Sequence, residues 1–242
     1  MKSLGVIGGM GPKATSVFFD KVVENTVADR DQDHIDIMIL NHATLPDRTE
    51  AILNGRDDLF LDAVKKDFKL LEFAGVSHIA IPCNTSHYFY DQMQAMTEIP
   101  IIHMVDETLK VIYQKYGENA KVGLLATKGT ISSGIYEKES SKYKMQMYVP
   151  SEAVQKQTMD IIYSIKADKM IDPLELEEMI HQLIFDEGCN CVVLACTELS
   201  CVRIGDEAAQ YCVDALEVLV EQSIALSGGT SKKQNSSSAV YS

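Results

Sequence analysis

KSLGVIGGMGPKAT, residues 2–15, and AKVGLLATKGTISS, residues 120–133, follow one plan: a lysine, an apolar run, a glycine-bearing turn and a helical pattern. A short apolar run that ends in a tight turn and feeds a helix is the opening unit of a parallel sheet flanked by helices. Further apolar runs follow each opening. After the first come HIDIMIL (34–40), SHIAIP (77–82) and the candidate fourth strand PIIHMV (100–105). After the second come KMQMYVP (144–150) and CVVLAC (191–196). Helical patterns lie between them. One runs from Pro12, well placed at a first helical turn, to about Ala28. Another, DDLFLDAVKKDFKLLEFAG (57–75), puts Leu61, Val64, Phe68 and Leu71 on one face and ends at Gly75. Others span 84 onward, 153–165, 173–187 and 213–225. The pattern predicts an α/β fold of two pseudo-symmetric parallel-sheet domains. Their predicted bounds are 1–103 plus 207–226 for the first and 104–206 for the second. The Gly- and Ser-rich stretch 227–242 reads as a disordered tail.

Each half ends its third main strand in a cysteine. IAIPCNTSHYF (79–89) carries Cys83 and VVLACTELSCV (192–202) carries Cys196. A cysteine between a strand tip and a helix start meets free N–H groups and a positive dipole end, which favour a thiolate. Cys189, Cys191, Cys201 and Cys212 read as small buried hydrophobes. The spacing of Cys189, Cys191, Cys196 and Cys201 lacks the usual pairs of a zinc site. No C-x-x-C redox motif is present. Two chemistries stay open. Cys83 with His87, four residues on, is a possible nucleophile and base. Cys83 with Cys196 is a possible pair of bases that remove an α-proton on one face and return one on the other.

The turn GMGPKA (9–14) matches the G-x-G-x-x-A dinucleotide fingerprint, but the next strand ends IMILNHAT without the acid that holds a ribose. The turn therefore reads as a tight connection or as one wall of a small-molecule site. Composition narrows the classes further. The chain has 242 residues, 46% hydrophobic and 24% charged, with net charge −13. That charge argues against nucleic acid and against anionic membrane as partners. It also obliges an anionic substrate to rely on local cations. No apolar run approaches a membrane span. MKSLGVIGGMG does not read as a secretory signal, and six cysteines then point to free thiols in a reducing cytoplasm.

The motifs GVIGGMGPKAT, NHATLPDRTEAIL, IPCNTSH, LLATKGTISSGIY and LACTELS, in this order, resemble the aspartate/glutamate racemase family, most closely its aspartate racemase branch. The resemblance covers about residues 4–226. It implies two α/β domains with the active site in the cleft between them, and a homodimer. It also implies interconversion of L- and D-aspartate by a two-cysteine mechanism, with neither pyridoxal phosphate nor metal. Cys83 and Cys196 match the catalytic cysteines. Arg48 and Lys166 match basic substrate-binding positions, although each alone also reads as a solvated surface charge. Met10, Asn84, Thr85, Thr127, Thr197 and Glu198 fall in site-lining motifs. Asn84, Thr85 and Thr197 suit an amino acid's carboxylate and ammonium, and Glu198 suits the ammonium or the tuning of Cys196. Ser200 departs from a frequent CTELP pattern. The alternatives are a glutamate or broad-specificity racemase, a maleate-isomerase-like or decarboxylase-like relative, and a non-catalytic amino-acid-binding protein.

Overall fold

The computed structural model describes residues 2–232. Its strands are β1 (Leu4–Gly8), β2 (Ile37–Asn41), β3 (His78–Ala80), β4 (Lys121–Ala126), β5 (Gln146–Tyr148), β6 (Cys191–Ala195) and β7 (Cys212–Asp214). Its helices are α1 (Pro12–Asn25), α2 (Arg48–Leu53), α3 (Asp57–Ala74), α4 (Tyr90–Gln94), α5 (Met104–Tyr116), α6 (Lys128–Ser133), α7 (Ile135–Ser140), α8 (Glu152–Lys166), α9 (Pro173–His181), α10 (Asp206–Ala209) and α11 (Ala215–Leu226).

The strands form two wholly parallel sheets, ordered β2-β1-β3 and β5-β4-β6-β7. In each, the first strand of the series lies between the second and the third. Ile101 bridges Ile79 in parallel at the outer edge of β3, the place that β7 takes beside β6. The two halves are thus wired alike, as the twin opening motifs predict.

Side-chain alternation explains the apolar runs. Leu4 and Val6 of β1 and Val122, Leu124 and Ala126 of β4 join one cluster with α5 and α11. Ile7 of β1 turns to a second cluster with Phe60, Val64 and Phe68 of α3. Leu125 of β4 turns to a third with Ile161 and Ile162 of α8 and Met179 of α9. A strand buried on both faces has no polar side to show, so its sequence is continuously apolar. The first cluster draws on both sheets and fixes how the halves sit together.

The differences from the sequence reading have local causes. Helix α1 stops at Asn25, because Thr26 bridges Ser231 and the Val27 N–H donates to the Thr230 carbonyl at 2.8 Å. Residues 227–232 are correspondingly packed, with Ser227 and Ser231 fully buried. This corrects the disordered tail for those residues, and the remainder of it lies outside the described residues. The fourth strand of the first sheet shrinks to the Ile101 bridge: Pro100 has no N–H to pair, and the His103 side chain already caps α5. Residues 212–214 form β7 rather than helix, and Asp214 accepts from the Leu216 N–H to start α11. The 173–187 helix is α9 followed by a turn of π-helix, Gln182–Asp186. Among the described residues, no helix is long and apolar enough to cross a membrane.

Candidate active site

The site is assembled at the carboxyl ends of the strands, where α/β folds bind ligands. Beyond β1, the turn is fixed by Gly9, whose φ of 92° is a left-handed conformation. A Cβ there would also fall 2.4 Å from the His42 carbonyl carbon. Thr15 pins the turn by accepting from the Gly9 N–H at 2.8 Å and donating to the Gly11 carbonyl at 3.0 Å. Beyond β2, Asp47 accepts from the Glu50 N–H and starts α2, whose first residue is Arg48. This Asp-x-x-Glu spacing is a capping-box pattern visible in the sequence. Helix α2 meets α6 of the other half at very close range, since a Cβ on Gly129 would stand 2.8 Å from the Thr49 Cα.

Cys83 follows β3 and Cys196 follows β6, and both are nearly buried, 5% and 6% exposed. They line one narrow cavity with Met10, Asp47, Arg48, Thr49, Asn84, Thr85, Thr127, Lys166, Thr197 and Glu198. Every site residue that the family resemblance implies therefore borders one cavity between the halves, and His87, the other candidate, is not part of its lining. Asp47 and Thr49, which flank Arg48, are additions. A wider opening adjoins the cavity along Gly11, Lys13 and Ala43 and shares Arg48, Lys166 and Glu198 with it.

Arg48 is buried, and its Nη1 donates to the Pro46 carbonyl at 2.9 Å, so it is not a solvated surface charge. Lys166, the last residue of α8, is exposed. Partial desolvation of its ammonium opposes its charge, but the acidic groups facing it, Glu198 first, outweigh that and hold its pKa above the ordinary value. The Thr85, Thr127 and Thr130 hydroxyls lie 2.8–3.0 Å apart in a ring that joins the Cys83 loop to α6. Three positions around the cavity hold buried polar atoms without a partner: Arg48 Nε, Asn84 Nδ2 and Glu198 Oε1.

The thiol environments differ from the helix-dipole expectation. Cys83 is followed by a 3₁₀ turn, Thr85–Phe89, and Cys196 by another, Leu199–Cys201, so neither begins a long helix. Cys196 donates to Glu198 Oε2 at 2.9 Å. Burial, then the Glu198 charge, pushes its pKa well above the ordinary thiol value. In the free site Cys196 is therefore an acid. Cys191 and Cys212 are likewise raised by burial, to about 12, as expected of structural thiols.

His87 does not act as a base on Cys83. The Met104 N–H donates to its Nε2 at 3.1 Å, so the ring proton sits on Nδ1 and is given to the Cys83 carbonyl at 2.9 Å. Burial, reinforced by His103, lowers its pKa to about 4 and keeps it neutral. Both ring nitrogens serve the backbone, which fixes the Cys83 loop. The glycine turn does not offer an anion site either. Gly11 lies against Glu198 Oε1, 3.1 Å from where its Cβ would stand, and a carboxylate there repels a pyrophosphate. Among the described residues, no group of three or more His, Cys, Asp or Glu is placed to hold a metal ion.

This geometry agrees with what the chain is similar to. The broad specificity amino-acid racemase RacX of Bacillus subtilis is 31% identical over 215 residues, covering 82% of this chain and 86% of that protein. The aspartate racemase of Picrophilus torridus superposes at a TM-score of 0.81 with 30% identity, over 97% of both chains. A glutamate racemase of Francisella tularensis, solved with D-glutamate, shares the fold at a TM-score of 0.64 and 17% identity, over 93% of this chain and 80% of that one. The family model for Asp/Glu/hydantoin racemases matches residues 7–223, from within β1 to within α11. The chain belongs to the Asp/Glu/hydantoin racemase family and is a racemase.

Proposed function

We propose that the chain interconverts L- and D-aspartate without pyridoxal phosphate, using Cys83 and Cys196 as paired acid and base. The observation that carries this reading is the set of unpartnered polar atoms beside the two thiols. Arg48 Nε and Asn84 Nδ2 are donors, and Glu198 Oε1 is an acceptor. Buried polar atoms go unsatisfied rarely, and here their signs complement an amino acid. Carboxylates take the donors and the ammonium takes Glu198.

The reaction follows from that placement. The thiolate of one cysteine takes the α-proton, and the C–H electron pair passes to the α-carbon and its carboxylate. The other cysteine gives its S–H proton to the opposite face and keeps the bonding pair as a thiolate. The substrate gains and loses one proton, and the cysteines exchange protonation states. Donors held at the carboxylate, with Asn84 and the Thr85 and Thr127 hydroxyls as candidates, stabilise the charge that develops there. A broad-specificity reading has one observation in its favour, the similarity to RacX. Arg48 decides between them, because a guanidinium grips a second carboxylate through two hydrogen bonds and contributes nothing to a methyl side chain.

Each alanine variant, Cys83→Ala and Cys196→Ala, is expected to lower kcat by about 10²- to 10⁴-fold, the usual worth of a positioned acid or base. Polarimetry on either enantiomer measures it, and a near-parental rate in either variant contradicts the assignment. Arg48→Met is expected to lower kcat/KM for aspartate by roughly 10- to 150-fold, about 1.5–3 kcal/mol, while racemisation of alanine changes little. Equal losses on both substrates would remove Arg48 from side-chain recognition.

The pH dependence has a definite sign. The Glu198 charge is one of the causes that raise the Cys196 pKa, and the neutral amide of Glu198→Gln removes it. The Cys196 pKa should then fall, although burial keeps it high. Thiolate absorbance of a Cys83→Ala background, titrated with and without Glu198→Gln, should show the transition at lower pH in the Gln variant. An unmoved or upward-shifted transition would contradict the electrostatic role given to Glu198.

A further inference from the structure

Tyr136 of α7 is fully buried. Its hydroxyl donates to Asn84 Oδ1 at 2.6 Å, across from one half of the molecule to the Cys83 loop of the other. Asn84 is itself only 2% exposed and borders the cavity. A side-chain amide has one accepting end and one donating end. With Oδ1 held by the phenol, the donating end, Nδ2, is the one left without a partner. Reversing the amide would turn an oxygen lone pair toward the cavity, where it repels a carboxylate.

We propose that Tyr136 is a positioning residue that holds Asn84 with its N–H₂ group presented to the substrate carboxylate. The inference rests on the reading of Asn84 as a substrate ligand and adds the residue that sets its polarity. The phenol suits this task. Burial, with the charge of Asp214, drives its pKa upward, so its proton stays available to Asn84. Because Tyr136 and Asn84 come from different halves, the bond exists only when those halves are together. The orientation of the ligand-binding amide is thereby tied to the packing of the two halves.

The test is a double-mutant cycle on the full chain with aspartate as substrate: parent, Tyr136→Phe, Asn84→Ala and the double variant, each with its thermal midpoint. Tyr136→Phe keeps the ring and removes only the oxygen. It should raise KM by about 5- to 30-fold, with kcat within about threefold of the parent. Asn84→Ala should raise KM at least as much. On the Asn84→Ala background, Tyr136→Phe should change KM by less than about twofold, since its effect passes through the amide. Unchanged KM in Asn84→Ala would overturn the reading of Asn84 as a ligand. A raised KM in Asn84→Ala with a parental KM in Tyr136→Phe would overturn the role of Tyr136 alone. So would a Tyr136→Phe loss that is the same with and without Asn84, which marks a packing effect. If Tyr136→Phe does not fold, Asn84→Asp asks the same question. Its second oxygen would face the cavity, and its KM should exceed that of Asn84→Ala; an equal or lower KM would overturn the required donor.

Discussion

An α-carbon has two faces, and inverting it needs an acid or base at each. A single sheet offers one row of strand ends and approaches a ligand from one side. Two like-wired sheets offer two rows, and here β3 and β6 each deliver a cysteine to one shared cavity. The remainder of the structure keeps those ends together. The cluster shared by β1, β4, α5 and α11 joins the halves through apolar packing. The ring of Thr85, Thr127 and Thr130 and the bond from Tyr136 to Asn84 join them again at the cavity itself. Small errors in that fit matter, because proton transfer demands heavy atoms within hydrogen-bond reach of one another.

Charge is arranged locally rather than globally. The chain carries a net −13, yet Arg48 and Lys166 border the cavity. Exposed charges more than about 10 Å apart are mostly screened at 0.1 M salt, so what a ligand senses is the near set. Within that set Cys196 and Glu198 share a hydrogen bond, and burial together with the carboxylate holds the thiol protonated. A substrate ammonium beside Glu198 would offset that negative charge and ease ionisation of Cys196. Binding and activation would then be coupled through one carboxylate.

Much of this was legible in the sequence, for physical reasons. Strands buried on both faces are continuously apolar, so β1, β4 and β6 stand out at once. The residues that follow strand tips are the ones that reach a cleft, which is why Cys83 and Cys196 could be named from their places, whereas Asn84 and Thr127 are legible only through the family resemblance. Other features depend on distant partners. Strand β7 is only Cys212–Asp214, and its identity comes from pairing with β6. The packing of residues 227–232 depends on Thr26 and Val27. His87 shows the same limit: four residues after a cysteine it reads as a base, but the Met104 N–H and the Cys83 carbonyl occupy its ring. Tyr136 ends the quoted LLATKGTISSGIY motif, yet nothing local reveals that its hydroxyl crosses to Asn84.

The central claim is that separate groups act on the two faces of the α-carbon. It is tested most directly by following one pure enantiomer of aspartate in deuterium oxide to low conversion, and then measuring α-deuterium in substrate and product separately by mass spectrometry. One cysteine removes protium, and the other, equilibrated with solvent, delivers deuterium. The account therefore predicts that the newly formed enantiomer carries deuterium while the recovered starting enantiomer keeps its protium. Equal labelling of both enantiomers from the outset, or product that retains the original protium, would mean that one base serves both faces and would contradict the account.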